Sequence, residues 1–237
     1  MPEQEQPVIL RKPDSLPEFV FNLLREHIVH GAIAPGTRIK QLEIARQLQV
    51  SQQTVREALK TLEAFGLVEQ TPNHGFAVAH IPFQEQAGIF KLRCQLETFA
   101  IDEAVQHISS NELKRMRELV PVASLVGSLP IPQIRRNNRE FHMIPIRATQ
   151  NKQLIRIMDQ LWDMTWTYFN FFSAESQSRL TRQELKEHET IIRALENKDP
   201  PAAKQAVQDH IQTALQELHH LLMARMQEKE VEEQTIA

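Results

Sequence analysis

The chain has one cysteine, Cys94, in 237 residues. With no second thiol it cannot form an internal disulfide, so a disulfide-stapled secreted scaffold is excluded and a reducing, cytoplasmic setting is expected. Six glycines and one tyrosine are also few. Long apolar patterns at helical spacing dominate instead, so a mainly α protein is expected. No apolar run approaches the roughly 18 residues of a membrane span. The opening MPEQEQPV lacks the basic and apolar regions of a signal peptide. No membrane partner is expected. Excess basic charge is missing too. The net charge is −3, and residues 10–81 carry eight Lys/Arg against seven Asp/Glu. Bulk charge therefore gives no support to nucleic-acid binding, although local placement and helix N-termini still meet phosphates. What remains is ordinary globular composition, 41% hydrophobic and 24% charged, in a chain long enough for one or two domains with cores.

The most informative stretch is residues 42–62, LEIARQLQVSQQTVREALKTL. It reads as two short helices broken by a tight turn at Gln49. Ser51 caps the second helix. Val55, Leu59 and Leu62 face inward, with Ala58 small enough for close packing. Gln52, Gln53, Arg56 and Lys60 face outward. This is the pattern of a helix-turn-helix, which lays one helix in a DNA major groove. Gly66 ends that helix, and the runs Leu67-Val68 and Phe76-Ala77-Val78 flank the turn Pro72-Asn73-His74-Gly75. A hairpin there makes the unit a winged helix-turn-helix. Ser51 and Thr54 offer hydroxyls to phosphate. Arg56 suits a guanine edge or a phosphate, and Gln52 or Gln53 an adenine edge. The plain alternative is a helical hairpin with a solvated polar face.

Residues 1–13 read as a flexible tail, 14–81 as the DNA-binding domain and 82–83 as a short linker. Residues 84–227 read as an all-α bundle, and 228–237 as a frayed tail. Ser15 to Glu18 is a capping box with Pro17 in the first turn. The bundle helices are expected at 84–107, 110–127, 132–150, 151–175, 182–197 and 201–227. Their start signals include a capping box from Thr181 to Glu184 and a cap at Asp199 before Pro200-Pro201.

The string PGTRI…VSQQTVREALKTLEAFGLV…HGFAV resembles the N-terminal domain of GntR-family transcriptional regulators over about residues 19–81. The resemblance implies a homodimer on a pseudo-palindromic operator in double-stranded DNA. It places DNA contacts at Ser51, Gln52, Gln53, Thr54, Arg56, His74 and Gly75, with a phosphate contact at Arg38. Two positions depart from the family pattern. Gln52 stands where arginine is common, which weakens salt-dependent affinity and shifts base preference toward adenine. Gln52→Arg is therefore expected to tighten general DNA binding; an unchanged affinity and salt slope would count against this. Gln49 stands where glycine is usual, and a left-handed backbone there would cost roughly 1–2 kcal/mol.

Three of the ten histidines fall on apolar helix faces. His188 lies among Leu185, Ile191, Ile192 and Leu195. His210 is in line with Val207, Ala214 and Leu218. His142 follows Asn138 by one turn, so their side chains meet. Three inward imidazoles on three helices can converge on one ion, with Asn138 as an oxygen ligand; zinc or nickel suits such a set. The plainer reading of the spacing alone is that each is a separate core histidine bonded to a neighbour.

The stretches LRCQLE, FHMIPIRATQN, EHETIIRALENKDPPAA and Asp209-His210 resemble the FadR-type C-terminal ligand-binding domain, the FCD subfamily of GntR regulators. The resemblance covers nearly all of 84–225. In that domain a carboxylate and three histidines bind a divalent metal. The matching positions here are Asn138, His142, His188 and His210. The neutral amide of Asn138 replaces the family aspartate and weakens the site. Arg93 either holds the carboxylate of a small organic-acid effector or pairs with Glu97. Pro145 interrupts helical bonding one turn beyond His142. The aromatics Trp162, Trp166, Tyr168, Phe169, Phe171 and Phe172 read as core, with some lining the cavity or dimer seam. The whole reads as a ligand-responsive transcriptional regulator, a repressor by family habit and not an enzyme. Two alternatives remain: a constitutive dimeric DNA-binding protein, or a metal-dependent enzyme built on the histidines.

Overall fold

The computed structural model describes residues 15–71, 75–120, 131–169 and 174–236. The chain divides into two compact units, residues 1–80 and 81–237.

The first unit contains α1 (Leu16–Val29), β1 (Arg38–Ile39), α2 (Gln41–Leu48), α3 (Gln52–Ala64), β2 (Val68–Thr71) and β3 (Gly75–Val78). Ser15 opens α1 by accepting from the backbone N–H of Glu18 at 3.2 Å. Ser51 opens α3 in the same way, accepting from the Thr54 N–H at 3.0 Å. Val55, Leu59 and Leu62 are fully buried, each worth about 1.5–3 kcal/mol of apolar transfer. They face Val20, Leu24 and Ile28, the buried face of α1, against which α3 packs. The sheet order is β1-β3-β2, antiparallel throughout. The expected wing is thus β2 and β3. Strand β1 is not legible in the sequence, because two residues carry no periodicity.

Gln49 closes α2 in the left-handed region, at φ 54° and ψ 40°. A side chain with a Cβ is strained there, and glycine is not. Gln49→Gly is expected to stabilise the first unit by about 1 kcal/mol. Urea unfolding of the full chain tests this; an unmoved or lowered midpoint would show that the turn carries no such strain.

The second unit contains α4 (Phe83–His107), α5 (Ser110–Leu119), α6 (Ile131–Ala148), α7 (Lys152–Phe169), α8 (Ala174–Glu196) and α9 (Pro200–Ile236). Its core gathers Phe90 and Ile101 from α4, Phe141 and Ile144 from α6, Ile191 and Ile192 from α8, and Val207, Ile211 and Leu218 from α9. Helix α9 packs on both α4 and α8, and α6 lies on α4. Asp199 caps α9 through the Ala202 N–H at 3.1 Å. A complete capping box, which sequence reading did not single out, joins Ser109 and Glu112 at the start of α5.

Several helix boundaries differ from expectation. Thr181 does not start a helix, because α8 already runs from Ala174. Glu184 is therefore an interior helical residue rather than the partner of a cap. Helix α9 continues to Ile236, past the expected end at 227, in a stretch rich in the good helix formers Glu, Gln and Lys. Helix α5 ends at Leu119, where Val120 turns extended, short of the expected end at 127; the expected tail at 1–13 and residues 121–127 lie outside the described residues. So do His74, Phe171 and Phe172.

Candidate functional site

The outer face of α3 presents Gln52, Gln53, Arg56 and Lys60, all exposed. Exposed Ser51 precedes them at the helix N-terminus. Its hydroxyl is already engaged, accepting from the Thr54 N–H and sharing a 2.7 Å bond with the Thr54 hydroxyl. The Gln53 amide donates to Glu57 at 3.1 Å, so a base contact by Gln53 must exchange that bond. Arg38 is exposed on β1 opposite Ala77 of β3. Gly75 opens β3 with φ 79°. One compact unit thus carries the described members of the expected DNA-contact set.

In the second unit, α6, α8 and α9 bring His142, His188 and His210 together. One ring nitrogen from each lies within 4.8 Å of the others, and all three side chains are buried. Carboxylates hold two of the rings from outside. His142 donates through Nδ1 to Glu97 at 2.7 Å, and His210 donates through Nδ1 to Glu187 at 2.8 Å. A proton on each Nδ1 leaves a lone pair on each Nε2. Those two Nε2 atoms face each other at 3.1 Å. Two lone pairs repel unless a cation stands between them. The Nε2 of His188 is buried with no hydrogen-bond partner, a costly state for a buried polar atom. His188 stacks on Phe141 with ring centroids 4.0 Å apart, which fixes its plane. The Nε2 atoms of His142 and His210, with a ring nitrogen of His188, make a three-imidazole donor set of the kind that holds a divalent metal, and the residues present fit such an ion.

Burial keeps the His142 and His188 imidazoles neutral. It lowers His142 to about 4 even though Glu97 pulls the other way. Burial, with the charges of His210 and His142, pushes His188 well below the ordinary range. Burial would raise Glu97, but the charges and hydrogen bonds of His142 and Arg93 outweigh it and hold the carboxyl at about 2. Each depressed group gives the metal-free protein stability that is lost on acidification. The unfolded chain protonates His142 from about 6.5 and Glu97 from about 4.5, while the folded protein resists until about 4 and about 2. The urea midpoint of metal-free protein should therefore fall steadily from pH 7 to pH 4. A midpoint flat across that window would contradict these protonation states.

Arg93 forms the ion pair that sequence reading left as one of two roles. Its Nε and Nη2 donate to Glu97 Oε1 at 3.1 and 2.8 Å. Its guanidinium lies 3.6 Å from the centre of the Trp162 ring. Arg93 thus anchors Glu97, which orients His142. Of the aromatic group, Trp162 is buried in this role; the side chains of Trp166, Tyr168 and Phe169 lie outside the described residues.

Two small cavities flank the histidines, each with room for about one water molecule. Pro145 lines the first with Glu97 and His142, so the interrupted turn of α6 borders the site. Asn138 lines the second with Glu184 and His188, and its Oδ1 is buried with no partner. Sequence reading missed Glu187 and Glu184 as parts of the site. A signal was present for Glu184, four residues before His188 on one helix, but it was absorbed by the Thr181 capping box.

Comparison with known proteins gives both halves. The family "Bacterial regulatory proteins, gntR family" matches residues 16–78, and "FCD domain" matches residues 88–213. The chain is 25% identical over 204 residues to an uncharacterized HTH-type transcriptional regulator, YdhC, of Bacillus subtilis, covering 85% of this chain and 90% of the relative. It is 27% identical over 198 residues to the Nta operon transcriptional regulator of Aminobacter aminovorans, covering 82% and 90%. In fold it matches Escherichia coli McbR/YncC with a TM-score of 0.77 at 24% identity, over 87% of this chain and 98% of the other. These relatives are regulators rather than enzymes. The chain belongs to the GntR family, as a DNA-binding transcriptional regulator whose FCD domain is its effector-binding half.

Proposed function

We propose that this regulator holds a divalent metal, zinc or nickel, on His142, His188 and His210, and senses a small carboxylate at that metal. The observation that carries this is the pair of Nε2 atoms facing each other at 3.1 Å, beside the unpartnered Nε2 of His188. A bound metal with three imidazole ligands supplies open positions for oxygen donors. Around it, Glu97 and Glu187 fix two ring orientations, Arg93 fixes Glu97, and Phe141 fixes His188. The flanking cavities are too small for an organic acid as they stand. Effector entry must therefore move α6, α8 or α9, and that movement is the signal. In this reading Arg93 positions Glu97, and it meets the effector carboxylate only by exchanging that partner.

The DNA reading is a homodimer on two half-sites, set about one helical turn apart. Arg38, Ser51, Gln52, Gln53, Thr54, Arg56, His74 and Gly75 make its contacts. On α4, Leu92 and Phe99 are seven residues apart and 47% and 48% exposed, an apolar strip that supports self-association. Effector binding changes how the two DNA-binding units are presented, and so changes operator affinity. Repression in the cytoplasm is the sign and setting we assign. Elemental analysis after zinc or nickel reconstitution tests the metal. About one ion per chain, lost in His188→Ala, is expected; a chain that takes up no ion would overturn the reading.

A further inference from the structure

A divalent ion on the three histidines would bring a charge that the groups around it do not balance. The three imidazoles are neutral donors, and Asn138 adds only a neutral amide oxygen. Of the charged groups bonded around the cluster, Glu97 and Glu187 are anionic and Arg93 is cationic. Their balance is one negative charge, so a divalent ion would leave one positive charge buried. An uncompensated buried charge is strongly unfavourable. One further carboxylate would remove it.

Glu184 is the carboxylate in place. It lies on α8 one turn before His188, and residues at that spacing share a helix face. It lines the same small cavity as Asn138 and His188. Two of the residues lining it carry a buried atom without a hydrogen-bond partner, Asn138 Oδ1 and His188 Nε2. His188 is itself only 4% exposed. Among the described residues the groups converging within 4.8 Å are the three histidines, so Glu184 stands outside that set and would join an ion there only by turning its side chain inward.

We propose that Glu184 is the anionic metal ligand of this protein, replacing from α8 the charge that Asn138 does not supply from α6. The ligand set is then His142, His188, His210 and Glu184, with the Asn138 oxygen as a weak neutral donor. Two ligands come from a single turn of α8, in the order Glu-x-x-x-His. The inference rests on the metal reading above, and one experiment separates their failures.

Zinc affinity is measured by chelator competition on full-length wild type, Glu184→Gln, Asn138→Asp/Glu184→Gln and His188→Ala. The glutamine keeps the shape of Glu184 and removes its charge, and the metal-free proteins should unfold at the same temperature. Zinc should bind wild type at one ion per chain. Glu184→Gln should weaken it by at least about 10–100-fold, the range of losses when even an outer partner of a metal ligand is removed. The double variant should recover most of that loss, because it returns a carboxylate to the α6 side; a merely structural role for Glu184 gives no such rescue. Equal affinity in wild type and Glu184→Gln overturns the assignment of Glu184 and leaves the three-histidine site standing. Absence of zinc binding in wild type overturns both.

Discussion

Glu97→Ala will destabilise the second unit by roughly 3–5 kcal/mol, the cost of removing one partner from a buried ion pair. Glu97 and Arg93 are both buried, and Arg93 places two donors on one Glu97 oxygen while His142 takes the other. Without the carboxylate, a guanidinium is left in the core against Trp162, and His142 loses the acceptor that sets its tautomer. The variant should unfold at a much lower urea concentration and bind zinc more weakly. Glu97→Gln, which keeps an acceptor oxygen, should lose less. A shift under 1 kcal/mol for the alanine variant would mean that Arg93 finds water or another partner, and the proposed chain from Arg93 to His142 would fail.

Arg56→Ala should lower operator affinity about 10–100-fold per half-site, since a good base-edge contact is worth about 1–3 kcal/mol. In a two-subunit complex the loss is taken twice. Arg56 sits mid-face on α3, exposed, between Gln52 and Lys60, and neither Ser51 nor Gln53 carries charge to replace it. Titrations at several salt concentrations, on operator and on random duplex, identify the contact. A loss confined to the operator marks a base contact. A uniform loss with a salt slope reduced by about 1 marks a phosphate contact. Unchanged binding on both duplexes would remove α3 as the reading helix.

The first unit was legible in the sequence because its signals are local. Ser51 caps the helix that begins just after it, and Val55, Leu59 and Leu62 bury the face that their spacing defines. Gln49 adopts the left-handed turn that the break between helices demands. In the second unit the histidines were legible for the same reason: each occupies the apolar face of its own helix. Their partners were not. Glu97 and Glu187 reach their histidines across 45 and 23 residues of sequence, and no periodicity encodes such a pairing. Arg93 admitted two roles until the position of Glu97 was known. Thr181 misled because a capping pattern inside a continuous helix looks the same in sequence as one at its start, and what extends α8 back to Ala174 does not act through that local pattern. That misreading also hid Glu184.

The most direct test of the whole account is the affinity of the zinc-loaded protein for a duplex selected from a random pool, measured by anisotropy across a panel of small carboxylates. At least one acid should shift the affinity by tenfold or more, about 1.4 kcal/mol of coupling between the two sites. That shift should vanish in His188→Ala and after chelation. Tight DNA binding that no carboxylate alters, in protein verified to carry one zinc per chain, would contradict the claim that the metal site is where this regulator senses its effector.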